Sequence, residues 1–294
     1  MAELRVCYPP DPNPRKPKWT PPPKSCDTHF HVFGPPDVFP YWPTRPYTPP
    51  AAPKAHYFAM AQILGLERGV VVTPNAHAPD NSSSADIIAS APDRFRGVAR
   101  LSGEEPDAEL KRLHAAGFRG VRFNLLPESG GKVDLDLFAA IAKRIAPLGW
   151  NTVFHLKPPQ LTEMKAWLTG LPTPVVIDHM AYVPYERGTD QPAFRALLDL
   201  LANPKVWVKV SCADRISKQP APWLESIPFG KALIAAAPDR VIWGTDWPHS
   251  SRFEPGLVPN DGDVMDILGL YAEDEATRKR ILVDNPARLY DFPA

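Results

Sequence analysis

Residues 26–34 read Cys-Asp-Thr-His-Phe-His-Val-Phe-Gly, so His29 and His31 stand two apart in a run of β-forming residues. On an extended strand side chains alternate faces, which puts both imidazoles on one side with Phe33 next in line. Other polar residues interrupt later apolar runs: Arg122 and Asn124 in residues 120–125, His155 in 152–156, His179 in 175–179 and Asp246 in 241–246. A polar side chain in an apolar strand is costly to bury unless it is paired or coordinates something. Three neutral imidazoles and a carboxylate suit Zn2+ or a similar divalent ion and leave a position open for water. The expected ligands are His29, His31, His155 and Asp246. Such an ion lowers the pKa of its water to about 7, so hydroxide exists at neutral pH. His179 is then left to hydrogen-bond a substrate carbonyl oxygen as it gains charge, and Asp246 to accept the proton of the water.

The elements that must position these groups alternate along the chain. Helical stretches at 57–64, 84–91, 107–116, 135–145, 161–168, 193–201 and 229–236 precede β-rich runs at 69–73, 97–101, 120–125, 152–156, 175–179, 206–211 and 241–246. Phe194, Leu197, Leu198 and Leu201 show the stripe of one buried helical face. Helices near Val264 and Glu275 close the chain. With the first strand there are eight β-runs, and short β-branched runs alternating with helices predict parallel pairing through right-handed crossovers. Eight such units predict a single (β/α)8 barrel of the TIM type, whose chemistry lies at the C-terminal ends of its strands. No GxGxxG follows the first strand and no P-loop occurs, which sets aside an open nucleotide-binding sheet.

The 294 residues fit one such barrel, predicted over 25–294, with a proline-rich arm at 1–24. Residues 35–53 combine many prolines with Phe39, Tyr41, Trp42 and Tyr47, and are expected to fold over the mouth as a lid. Net charge is zero, so there is no field to hold a polyanion, and neither nucleic acid nor a membrane surface is an expected partner. Cys7, Cys26 and Cys212 lack paired spacing, and no signal peptide is evident; a reduced cytoplasm is the expected compartment. Lys209 shares the parity of Ser211 but has no role legible in sequence, and Lys157 and His77 are further polar residues near predicted strand ends.

His29-Phe30-His31, His155, Val176-Ile177-Asp178-His179 and Trp243-Gly244-Thr245-Asp246-Trp247-Pro248-His249 together resemble the amidohydrolase superfamily. From Thr20 to Tyr290 the chain is more narrowly similar to the 2-pyrone-4,6-dicarboxylate hydrolases, through Arg119-Gly120-Val121-Arg122-Phe123-Asn124, Asp214-Arg215 and Asn285-Pro286-Ala287-Arg288-Leu289-Tyr290 besides the motifs above. The resemblance implies hydrolysis of the cyclic ester of a small anionic lactone from aromatic breakdown. Asp246 would activate water, the histidines would polarise the carbonyl, and Arg122, Arg215 and the lid's Tyr47 would hold the substrate, with Asn124 beside them. A second arginine expected just beyond Arg122 is absent, the segment reading Leu126-Pro127-Glu128-Ser129. That group carries a tyrosine where His155 stands and works without a metal. The histidine restores the mononuclear metal set of the wider superfamily and points to the zinc-dependent 4-sulfomuconolactone hydrolases. A metal-dependent decarboxylase and a lactone isomerase are the alternative activities, and a non-catalytic binding protein is the alternative outside enzymes.

Overall fold

The β-runs pair in the order in which they occur. β1 (Cys26–Phe30), β2 (Arg68–Val72), β3 (Phe95–Ala99), β4 (Phe118–Asn124), β5 (Asn151–His155), β6 (Val175–Ile177), β7 (Val206–Lys209) and β8 (Val241–Ile242) form one sheet, each parallel to the next. The structure is a computed structural model, and it describes residues 4–127 and 130–293. The circuit closes where the Thr28 N–H donates to the Trp243 carbonyl (3.0 Å) and the Asp246 N–H to the His29 carbonyl (2.8 Å). Gly244 makes this seam possible, since a Cβ there would lie 2.5 Å from the His29 backbone nitrogen. Helices between successive strands complete the (β/α)8 barrel, as expected from sequence.

Two apolar layers follow from the alternation of the strands. Val71, Val121, Phe123, Phe154, Ile177 and Val208 pack outward against the helices. Cys26, Val70, Val72, Val98, Val153, Val176 and Ile242, from six strands, meet each other and so face the barrel axis. By the same parity Arg122, Asn124, His155, Asp178 and Lys209 also face the axis, nearer the C-terminal ends. On β1 a register irregularity between Asp27 and Phe30 shifts the parity. Cys26 and His29 therefore both face inward, while Phe30 turns outward to stack on Tyr57 at 3.5 Å between centroids.

Several elements differ from expectation for local reasons. The helix expected at 161–168 is two short ones, Pro158–Glu163 and Lys165–Gly170, because Pro158 and Pro159 fit a first helical turn and start it earlier. β6 ends at Ile177 and β8 at Ile242, so His179 and Asp246 lie beyond the strands. The 4–24 segment is docked on the helix Asp261–Tyr271: the Lys18 N–H donates to Asp266 (2.7 Å), and Arg15 bonds both Asp263 and Asp266. Gly262 and Gly269 present bare backbone to it, since a Cβ at either would strike Arg15 or Trp19 within 2.6 Å. The 35–53 loop is closed at its base by paired hydrogen bonds between Phe33 and Ala52 and touches the β2 loop, where the Trp42 N–H donates to the Ala76 carbonyl. Among the described residues no helix is long and apolar enough to cross a membrane.

Candidate active site

The floor of the mouth is one buried carboxylate. Asp178 follows β6 with the parity of Val176 and receives Arg122 Nε on one oxygen (2.8 Å); Lys209 Nζ (3.1 Å) and His29 Nδ1 (3.3 Å) lie against the other. Burial alone would raise the Asp178 carboxyl, but Lys209, His29 and Arg122 hold it well below the usual carboxylate range. Lys209 is completely buried, and Nζ also lies 3.0 Å from His29 Nδ1.

Above this floor, imidazoles converge on Asp246. His29, His31 and His179 bring Nε2 to 3.5, 3.6 and 3.9 Å from Asp246 Oδ1. His31 Nδ1 donates to the Val72 carbonyl (2.7 Å), which turns its Nε2 toward Asp246. His179 Nδ1 bonds Ser211 Oγ at 2.8 Å. Burial lowers His29 well below the ordinary imidazole value and His179 to about 4, so both rings are neutral at pH 7. Burial would raise Asp246, but Arg215 and the hydrogen bond from His31 outweigh it and keep the carboxylate ionised. Arg215 grips Asp246 Oδ2 from Nε (2.8 Å) and Nη2 (2.7 Å) and also donates to the Ser250 carbonyl.

The backbone that aims these groups is itself unusual. His179, Met180, Ala181 and Tyr182 all have φ between 50° and 53°, and Asp246 has φ 63°. Left-handed backbone costs a non-glycine residue about 1–2 kcal/mol, so a run of four persists only where the surroundings hold it. The run turns both His179 and Tyr182 toward the mouth, which they line together with His31, Tyr47, Arg122, His155, Arg215 and Asp246.

The residues that converge here are not all those expected as ligands, His29, His31, His155 and Asp246. His29, His31 and Asp246 converge, but both nitrogens of His155 are engaged elsewhere, Nδ1 by Asn124 Oδ1 (3.0 Å) and Nε2 by the Tyr182 hydroxyl (2.9 Å). His179, expected to polarise the substrate, joins the cluster instead: one ligand atom each from His29, His179 and Asp246 lies within 4.8 Å of the others. The cluster suits a divalent ion. His29 Nε2 is buried with no hydrogen-bond partner, and the 3.5 and 3.6 Å separations approach the roughly 3.3 Å between ligands of a tetrahedral zinc ion. Asn124 is spent on His155 and the Leu126 N–H rather than on open space.

Of the substrate-side residues, Arg122, Arg215 and Tyr47 all line the mouth, and the Tyr47 hydroxyl reaches Ser250 Oγ at 3.4 Å. Sequence reasoning passed over Tyr182, the Asp178–Lys209 pair and Arg100. Arg100 follows β3 beside Arg122 and Tyr47, and its side chain donates to the Arg122 carbonyl (2.9 Å). Burial and the Arg122 charge push its guanidinium down to about 10, against a smaller opposing effect of Tyr47. A lone arginine at a predicted strand end was the available signal. Glu128 and Ser129, in the segment that lacks the second arginine, lie outside the described residues.

Known proteins are similar to this chain in sequence and in fold. A 4-sulfomuconolactone hydrolase of Hydrogenophaga intermedia is 43% identical over 270 residues, 92% of this chain and 89% of that protein. A 2-pyrone-4,6-dicarboxylate hydrolase of Comamonas testosteroni is 39% identical over 288 residues, covering 95% and 93%. The crystal structure of a probable 2-pyrone-4,6-dicarboxylic acid hydrolase from Acinetobacter baumannii, with citric acid bound, superposes with a TM-score of 0.79 at 27% identity, covering 92% and 100%. The sequence profile of the amidohydrolase family matches residues 26–292, the whole barrel from β1 to the C-terminal segment, and the chain belongs to that family.

Proposed function

We propose that the protein is a lactonase that opens the cyclic ester of a small dianionic lactone in aromatic-compound catabolism. The observation that carries this is the charge around the mouth. Four cations, Arg100, Arg122, Lys209 and Arg215, stand against two carboxylates, Asp178 and Asp246, with His29 and His179 neutral, an excess of two positive charges. This cationic surplus favours an anionic substrate, and guanidinium forks match carboxylate and sulfonate oxygens. The names of the two hydrolases at 43% and 39% identity support the same class.

In this reading Arg122, Arg215 and the Tyr47 hydroxyl hold the substrate anions, and the ester carbonyl lies over the imidazoles. Asp246 accepts a proton from water as its oxygen adds to the acyl carbon; the ring C–O bond then breaks, and the proton passes to the leaving oxygen. Arg215 fixes Oδ2, so Oδ1 is the oxygen that faces the water. His29, His31, His179 and Asp246 would hold a divalent ion, with Zn2+ the best match to nitrogen-rich ligands. Bound there, it would supply Lewis acidity and a lowered water pKa.

Proton release tests the reading. Lactones bearing two carboxylates, or a carboxylate and a sulfonate, should liberate one acid group per ring opened, with kcat/KM at least about a hundredfold above a neutral lactone of the same ring. Asp246→Asn should abolish turnover with the circular dichroism spectrum unchanged. Equal rates on the neutral lactone, or carbon dioxide as product, would sink the assignment.

A further inference from the structure

The N-terminal segment does more than dock on the last long helix. Its first described residues form a short extended piece wedged between the lid loop and the loop after β8. Val6 pairs in parallel with Thr48; the Cys7 N–H donates to the Thr48 carbonyl (2.9 Å), and the Thr48 N–H donates to the Arg5 carbonyl (2.9 Å). On the other side the Tyr8 N–H donates to the Arg252 carbonyl (2.8 Å), the Ser251 N–H to Cys7 Sγ (3.3 Å), and the Arg5 guanidinium lies over the Phe253 ring at 3.8 Å.

The two loops so joined each carry a wall of the mouth. Thr48 adjoins Tyr47, and Ser251 and Arg252 follow Ser250, which receives Tyr47 through its hydroxyl and Arg215 through its carbonyl. Cys7 is 4% exposed, whereas Val6 and Tyr8 are 64% and 40% exposed. The piece is therefore held by main-chain hydrogen bonds and one inward sulfur, not by an apolar face of its own. Its cost of ordering is repaid by what it fixes: it adds a main-chain bridge between the lid and the β8 loop beside the 3.4 Å bond between Tyr47 and Ser250.

We propose that residues 5–8 are a working part of the substrate site, a strap that pins the lid to the β8 loop and thereby positions Tyr47 for the substrate anion. Binding depends on the strap, while the Asp246 chemistry beneath does not touch it. The inference rests on the lactonase reading for its kinetic readout only.

The test is removal of residues 1–8, leaving the Arg15 and Trp19 anchorage intact, examined alone and together with Tyr47→Phe. Removal should raise KM for the dianionic lactone about fivefold to tenfold, the scale of one hydrogen bond to a charged group, with kcat within twofold. In the Tyr47→Phe background it should add nothing, because the strap acts through that hydroxyl. The Trp42 and Arg45 amides, which bond within the lid and to Ala76 and not to the strap, should exchange with solvent faster in the truncated chain. If the truncated chain fails to fold, Tyr8→Pro, which loses the N–H to Arg252 together with a ring that is 40% exposed, should show the same directions, with Tyr8→Ala as the control for the ring. An unchanged KM, an effect that adds to that of Tyr47→Phe, or unchanged exchange at Trp42 and Arg45 would each overturn the proposal. Should the full-length protein open no lactone, the functional reading falls, and the exchange measurement still decides the strap.

Discussion

Replacing Lys209 with methionine isolates the buried charge pair beneath the site. The methylene stem is conserved, so packing changes little and the loss is electrostatic. Nζ lies 3.1 Å from Asp178 Oδ1, and at an effective dielectric of 20 two such charges attract by about 5 kcal/mol, against which the burial of each must be set. Lys209→Met leaves Asp178 buried with Arg122 as its remaining full charge, and breaking such a pair from one side costs about 3–5 kcal/mol. With a urea slope of about 3 kcal/mol/M for a chain of this size, the midpoint should fall by about 1–1.7 M. Asp178→Asn should cost a similar amount by leaving Lys209 and Arg122 unopposed. Lys209→Met with Asp178→Asn should be more stable than the sum of the two losses by at least about 2 kcal/mol. Urea unfolding followed by tryptophan fluorescence, on protein stripped of metal by chelator, measures all four corners of the cycle. A loss below about 1 kcal/mol in Lys209→Met, with additive effects, would show that no ion pair holds the floor together.

Three other outcomes follow from the same geometry. Because burial puts His179 at about 4 when folded against 6.5 unfolded, its stabilising contribution is complete above pH 6.5 and lost as pH falls toward 4; about 3 kcal/mol should disappear over that interval in chelator-treated protein, and an equally steep loss in His179→Gln would refute the assignment. Elemental analysis of protein purified without added metal should find about one divalent ion per chain, lost in His29→Asn and His179→Asn but kept in His155→Tyr; loss in His155→Tyr would return that imidazole to the ligand set. Arg100→Gln should raise KM for a dianionic lactone about threefold to tenfold while leaving KM for a neutral lactone unchanged, and equal effects on both would remove Arg100 from the anion-binding field.

The barrel was legible because its signals are local: β-branched runs, helical stripes and proline-marked loops recur eight times, and each run landed within a few residues of its strand. His29, His31, Arg122, Arg215, Tyr47 and Asp246 were likewise found from strand ends and motif strings, and all but the fully buried His29 line the mouth. What could not be read is set by backbone and partners distant in sequence. The left-handed run after β6 has no glycine to announce it, yet it swings His179 into the Asp246 cluster and sends Tyr182 to His155. The parity shift on β1 is a register event between strands, invisible in the Cys-Asp-Thr-His string itself. Lys209 had no role in sequence because its partner, Asp178, lies on the preceding strand's exit and gains meaning only when both are known to be wholly buried. That His179 rather than His155 lies in the Asp246 cluster follows from these features together. A strand-end histidine is aimed by its strand, but which ring nitrogen is free depends on what its neighbours donate, and here Tyr182 and Asn124 occupy both nitrogens of one histidine while Ser211 leaves Nε2 of the other open.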